Sequence, residues 1–197
     1  MADMLAQGLV ALSIVIRLHD AYGIPDDQLA RGRKTTEGIM KAAGVAVAWR
    51  ECPCTSPVTS NELVVRVTRV TPASTPGSLG FSVIDIPRRT GTLATVFADR
   101  VHAMATVAGL DRGELLGRVI AHEVSHLLLG TRDHQTFGLM RGKWTAGELA
   151  TQGPSRWRLS SDESVRIRQA IKRRASEPTL PAMIAVDADP VPDGSTQ

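Results

Sequence analysis

Residues 9–18 (LVALSIVIRL) form a nearly unbroken Val, Ile and Leu run, the pattern of a strand buried on both faces. A turn over 20–25 follows. Residues 26–43 place apolar Leu29, Ile39, Met40 and Ala43 behind two first-turn acids, Asp26 and Asp27, which predicts a helix closed near Gly44. Alternation and β-branching predict strands over 45–49 and 63–70. The segment 71–78 (TPASTPGS) reads as a loop, and short strands over 79–86 and 93–97 flank a turn at 87–91. Helical spacing takes over at Asp99. A short helix over 99–108 closes at Gly109, and a longer one over 112–129 closes at Gly130. Residues 131–143 are irregular, and a helical piece is expected over 145–150. Ser160-Ser-Asp-Glu163 is a capping box that opens a last helix to about Arg174. Beyond it, Pro178, Pro181, Pro190 and Pro192 mark a flexible acidic tail. The pattern predicts an α/β (α+β) fold: an N-terminal extension over 1–8, one domain over 9–174 and a tail over 175–197.

Composition agrees with a single domain. The chain has 197 residues, 43% hydrophobic and 22% charged, so a core of ordinary size can form. Only 4% are aromatic, so that core must be aliphatic. The longest apolar stretch, 9–16, is far shorter than the ~20 residues that span a bilayer, which excludes a membrane-spanning helix. No Lys or Arg precedes Arg17 and Asp3 is acidic, so the N-terminus is a poor match to a signal peptide. All 23 basic residues lie in the first 174, against 16 acids there, a mildly basic balance too diffuse to argue nucleic-acid binding. Seven of them fall between Arg156 and Arg174. Without interleaved aromatics they read as a solvated helix face. Cys52 and Cys54 lack the further ligands of a zinc site, and a disulfide between residues two apart is strained, so they read as two cysteines of a turn.

The chemistry concentrates in His122-Glu123-Val124-Ser125-His126. Four residues apart on a helix, His122 and His126 lie one above the other and can share one metal ion, and Glu123 beside them can reach a water on it. Leu116, Ile120, Val124 and Leu127 form an apolar stripe nearly opposite the histidines, with Leu115, Val119 and Leu129 keeping the second face largely apolar. Such a helix is central: packed on one side, lining a cleft on the other. Two histidines and a carboxylate there would be costly to bury without a partner, and zinc supplies one. A catalytic zinc takes three protein ligands. Gly130 can end the helix with φ > 0 and turn the chain back, which brings His134 within reach; Met140 follows between Gly138 and Gly142. Asp133 competes with His134 for the third position, and Glu148 is a weaker alternative. His134 is favoured because neutral imidazole is the commonest metal ligand. Asp133 is then left to pair with Arg132, to receive a ring N–H, or to lie exposed. His19 and His102 read as structural or exposed.

The stretch 122–140 resembles the metzincin zinc metalloproteases: HExxH, a helix-ending glycine, a third histidine and a Met-turn. The likeness is strong over about 20 residues and loose over 9–150. It departs in spacing, since Gly130 stands four residues and His134 eight after His126, where the usual pattern has three and six. The resemblance implies a single metzincin-like domain, with a mixed twisted sheet and a central zinc-binding helix. It implies one catalytic Zn2+ held by His122, His126 and His134, Glu123 as general base, and Met140 as an apolar floor beneath the metal. It further implies a zinc metalloendopeptidase acting as a monomer on peptide or protein substrates, with secretion as the family's habit. The alternative is a catalytically inactive zinc-binding interaction protein, which would have no need of Glu123. Leu79 to Asp85 is the candidate edge strand for an extended peptide.

Overall fold

The computed structural model describes residues 12–52, 56–70, 76–151 and 153–176. The chain runs β1 (Ser13–Asp20), α1 (Asp26–Ala42), β2 (Ala46–Glu51), β3 (Glu62–Thr68), β4 (Gly80–Asp85) and β5 (Thr90–Phe97). Four α-helices follow: α2 (Ala98–Ala108), α3 (Arg112–Leu129), α4 (Ala146–Thr151) and α5 (Ser161–Ser176). The five strands form one mixed sheet in the order β2-β1-β3-β5-β4. Its first four strands are parallel, and β4 pairs antiparallel to β5 as an edge. This is the mixed α/β single domain expected. Among the described residues no helix is long and apolar enough to cross a membrane.

The continuous apolar runs become the interior strands. Ile14 and Ile16 of β1, Leu63, Val65 and Val67 of β3, and Ala94 and Val96 of β5 are all buried. The α3 stripe of Leu116, Ile120, Val124 and Leu127 is buried as well, and α3 packs on β3, β4 and β5 with α1 alongside. Burying this layer stabilises the fold by about 25 cal/mol for each Å² of apolar surface removed from water.

Four expectations are corrected. β1 begins at Ser13 and runs on through His19 to Asp20, whose carboxylate then caps the turn by accepting from the backbone N–H of Tyr22, Gly23 and Ile24. β5 begins at Thr90, three residues before the β-branched run suggests, because its pairing with β4 continues past a bulge to Asp85↔Thr90. The α5 basic residues are not a uniformly solvated face. Arg174 is buried and donates to the Ser60 and Gly91 carbonyls and to the Thr90 hydroxyl, and Arg168 donates to the Ala43 carbonyl. Cys52 is disulfide-bonded, although the short spacing argued against it; Cys54 lies outside the described residues, as do most of the expected 71–78 loop, the 1–8 extension and the tail from 177. The capping box forms as expected: Ser160 N–H donates to Glu163 Oε2 (2.7 Å) and Glu163 N–H to Ser160 Oγ (3.2 Å).

Candidate metal centre

The site is built on α3, and local chemistry fixes both of that helix's ends. Asp111 caps the first turn by accepting from Glu114 N–H at 2.9 Å. Midway, α1 crosses at glycine contacts: a Cβ on Gly117 would stand 2.3 Å from the Gly32 carbonyl oxygen. The Thr36 hydroxyl bridges the two backbones, reaching Gly32 O (3.0 Å) and Gly117 O (3.1 Å). At the far end Gly130 takes φ 61°, and a Cβ there would lie 2.0 Å from the Arg89 carbonyl oxygen. Only glycine fits both the left-handed backbone and the space. The chain therefore turns back sharply, and 131–134 pass close to α3.

Three imidazoles converge at that point. His126 Nε2 lies 3.0 Å from His122 Nε2 and 3.2 Å from His134 Nε2. The tautomers follow from the other ring nitrogens. His122 Nδ1–H donates to the Leu139 carbonyl and His126 Nδ1–H to the Thr131 carbonyl, both at 2.8 Å. A carbonyl can only accept, so each Nδ1 carries the proton and each Nε2 presents a lone pair. Lone pairs about 3 Å apart repel unless a cation sits between them. Four-coordinate zinc with Zn–N of ~2.0–2.1 Å requires N···N separations of roughly 3.3 Å, so this donor set fits that ion. Burial holds both inner rings neutral. It depresses the His122 pKa to about 3, with repulsion between the protonated forms of the two rings adding to the drop, and the His126 pKa to about 4. Burial also lowers His134, against the opposing pull of Asp133.

Glu123 is buried beside the triad, and β4 frames its carboxylate. Ser82 Oγ lies 2.7 Å from Glu123 Oε2 and 2.8 Å from the Glu123 carbonyl oxygen, so its single proton is donated to one or the other. Two residues along the same strand face, a Cβ on Gly80 would come within 3.0 Å of Glu123 Oε1 and 3.1 Å of its Cγ. The absent side chain leaves room for the carboxylate. Burial raises the Glu123 pKa to about 7, and the Ser82 hydrogen bond opposes that rise. A carboxyl group poised near neutrality, next to the unprotonated Nε2 atoms of His122 and His126, can accept and return a proton.

The loop after Gly130 closes the site. His134 and not Asp133 joins the triad: Asp133 accepts from the Thr131 hydroxyl at 2.7 Å and is exposed. Glu148 is elsewhere, bound to Thr145 and ion-paired with Arg141. Met140 is buried in the core, in the residue after the Leu139 carbonyl that orients His122, and its own carbonyl accepts from Gln135 N–H at 2.8 Å. His102 packs edge-on against Tyr22 (5.4 Å between centroids), away from the triad. Sequence reasoning missed Gly80, Ser82 and Trp144. The Trp144 ring stands edge-on to His122 at 5.4 Å and to Trp157 at 5.1 Å. A cleft of about 1350 Å³ opens over the triad between β4 and the 131–145 loop.

No known family profile matches the chain, and no curated protein matches it in sequence. Solved structures do match its fold. A zinc-dependent peptidase from Methanocorpusculum labreanum is 14% identical with a TM-score of 0.51, over 77% of this chain and 99% of that one. An archaemetzincin from Methanopyrus kandleri is 12% identical with a TM-score of 0.54, over 86% and 100%. Metalloproteinase-II from Bacteroides fragilis is 12% identical with a TM-score of 0.51, over 82% of this chain and 54% of that one.

Proposed function

We propose that this protein is a zinc metallopeptidase, with one Zn2+ held by His122, His126 and His134 and with Glu123 as general base. The observation that carries the reading is the convergence of three imidazole Nε2 atoms, two of them held as lone pairs by Nδ1–H bonds to carbonyls, beside a buried carboxylate. The fold shared with zinc-dependent peptidases supports it. A bound zinc ion would polarise the scissile carbonyl and bring the pKa of water toward ~7. Glu123 would take the proton of the attacking water and pass it to the leaving amine. Ser82 would hold that carboxylate toward the cleft, and Met140 would act as the apolar floor of a Met-turn. The outer edge of β4, the last strand of the described sheet, would pair with an extended peptide through main-chain hydrogen bonds, the arrangement of an endopeptidase working as a monomer. The catalytic unit would be residues 9–174 and the end of α5, with 1–8 and the acidic segment after it outside the unit.

The test is metal content of the purified protein, with cleavage of a peptide library measured before and after chelation. The expected result is one zinc per chain, with cleavage lost to chelator and restored by Zn2+. Stoichiometric zinc with no cleavage of any peptide would instead establish a zinc-binding interaction protein, and absence of tight zinc binding would overturn both readings.

A further inference from the structure

We infer that the cleft selects peptides carrying acidic side chains near the scissile bond, an inference that rests on the peptidase reading above. The charge of the described cleft lining is one-sided. Arg66, Arg132, Arg141 and Lys143 line the cleft, and Glu123 is the only carboxylate among its described lining residues. Glu123 is buried against Ser82 and does not reach the rim. Of the cations, Arg141 is already engaged by Glu148. Arg132 and Lys143 are exposed, and no ion pair among the described residues engages either.

These two cations flank the third imidazole. Arg132 precedes His134 by two residues. Lys143 follows Gly142, where a Cβ would stand 3.0 Å from His134 Cγ. The one acid of the 131–145 segment, Asp133, accepts from the Thr131 hydroxyl and is not part of the cleft lining. At the sheet side, Arg66 sits on β3 in register with Thr95 of β5, itself paired with Phe81. Phe81 and Val83 leave an apolar strip about half exposed along β4. An occupying segment therefore meets main chain and apolar surface on the strand side and free cations on the loop side. A guanidinium and an ammonium with no internal partner are complementary to carboxylates and repel basic residues, and a divalent ion at the triad adds to a field of the same sign. The preference is for glutamate- or aspartate-bearing peptides over lysine-bearing ones of the same length.

The test uses fluorescent peptides differing only in Glu, Gln or Lys at the positions flanking one bond. Their binding to the full chain, stripped of metal by chelator, is read by anisotropy at low and high salt, and their cleavage is followed with the zinc-loaded protein. Two exposed ion pairs predict a roughly 2- to 30-fold tighter grip on the Glu peptide than on the Gln peptide. The preference should shrink at 500 mM NaCl and vanish in the Arg132→Gln/Lys143→Gln double variant. The salt response keeps the inference testable should that variant misfold. Binding blind to charge, no binding of any peptide, or a preference undiminished in a folded double variant would overturn the inference. Charge-blind cleavage would overturn it and leave the peptidase reading standing. A charge preference in binding without cleavage of any peptide would do the reverse.

Discussion

Replacing Ser82 with alanine removes the one side-chain hydrogen bond that the described residues make to the Glu123 carboxylate. That bond is 2.7 Å long and lies in a buried setting, where a hydrogen bond to a charged group contributes about 1.5–3 kcal/mol. The hydroxyl has a second acceptor in the Glu123 carbonyl at 2.8 Å, so the lower half of that range applies. The sign follows from which form the bond favours. Burial raises the Glu123 pKa to about 7 by penalising the carboxylate, and the Ser82 donor works against that rise. Without the donor the pKa rises further, by roughly one unit for each 1.36 kcal/mol lost. Glu123 serves as base only when ionised, so the acid limb of kcat/KM against pH should move up by about one unit in Ser82→Ala. On the acid side of the limb the activity at a given pH should fall about ten-fold, and the deficit should close as the pH rises above the limb. A bound cation lowers the absolute pKa in both proteins alike, so the displacement between the two profiles is the quantity to compare. The assay is cleavage of one fluorogenic peptide from pH 5 to 9, with zinc stoichiometry measured on both proteins. A 13C titration of the Glu123 carboxyl in the chelated proteins reads the same displacement without turnover. Coincident acid limbs at equal zinc content, or coincident titrations, would refute the claim that β4 tunes the base.

Glu123→Ala should retain zinc and lose about 10²–10⁴-fold in peptide cleavage, since Glu123 acts as base and not as ligand; unchanged cleavage would remove the enzymatic role. His134→Ala should abolish tight zinc binding, whereas Asp133→Ala, which loses the hydrogen bond from the Thr131 hydroxyl and the carboxylate's pull on His126 and His134, should weaken it by about ten-fold at most. Titration with a competing chelator orders the two, and the reverse order would reassign the third ligand. Gly130→Ala forces a side chain into φ 61° and to within 2.0 Å of the Arg89 carbonyl oxygen, so unfolding stability should drop by about 3 kcal/mol or more in a denaturant melt. A chain ending near Pro178 should melt at the same temperature as the full chain, and a large loss would show that the tail packs on the domain.

The parts of this protein that were legible in its sequence are those fixed by local geometry. His122 and His126 meet because a helix brings residues four apart together, and Gly109 and Gly130 end helices because each accepts a left-handed backbone, φ 64° and 61°. His134 was within reach because the left-handed turn at Gly130 carries the chain back past His126. What was not legible depends on elements that meet only after the sheet closes. Arg174 looked like one more cation on a solvated face, since helical spacing says nothing of what lies opposite; the carbonyls of Ser60 and Gly91 are 114 and 83 residues away in sequence. Ser82 is 41 residues from Glu123 and carries no signature, being one small polar residue in an alternating strand. Its role is set by the register of β4. The pleat turns Gly80 and Ser82 toward α3, one leaving room for the carboxylate and the other bonding it, while Phe81 and Val83 face outward. A slip of one residue in that antiparallel pairing would exchange the two sets and press an aromatic ring against Glu123. The bulge between Val83 and Ile84 lies just beyond Ser82, where an added residue on one strand pins the pairing on either side of it. The chemistry of the α3 motif thus depends on a strand register that the motif itself does not encode.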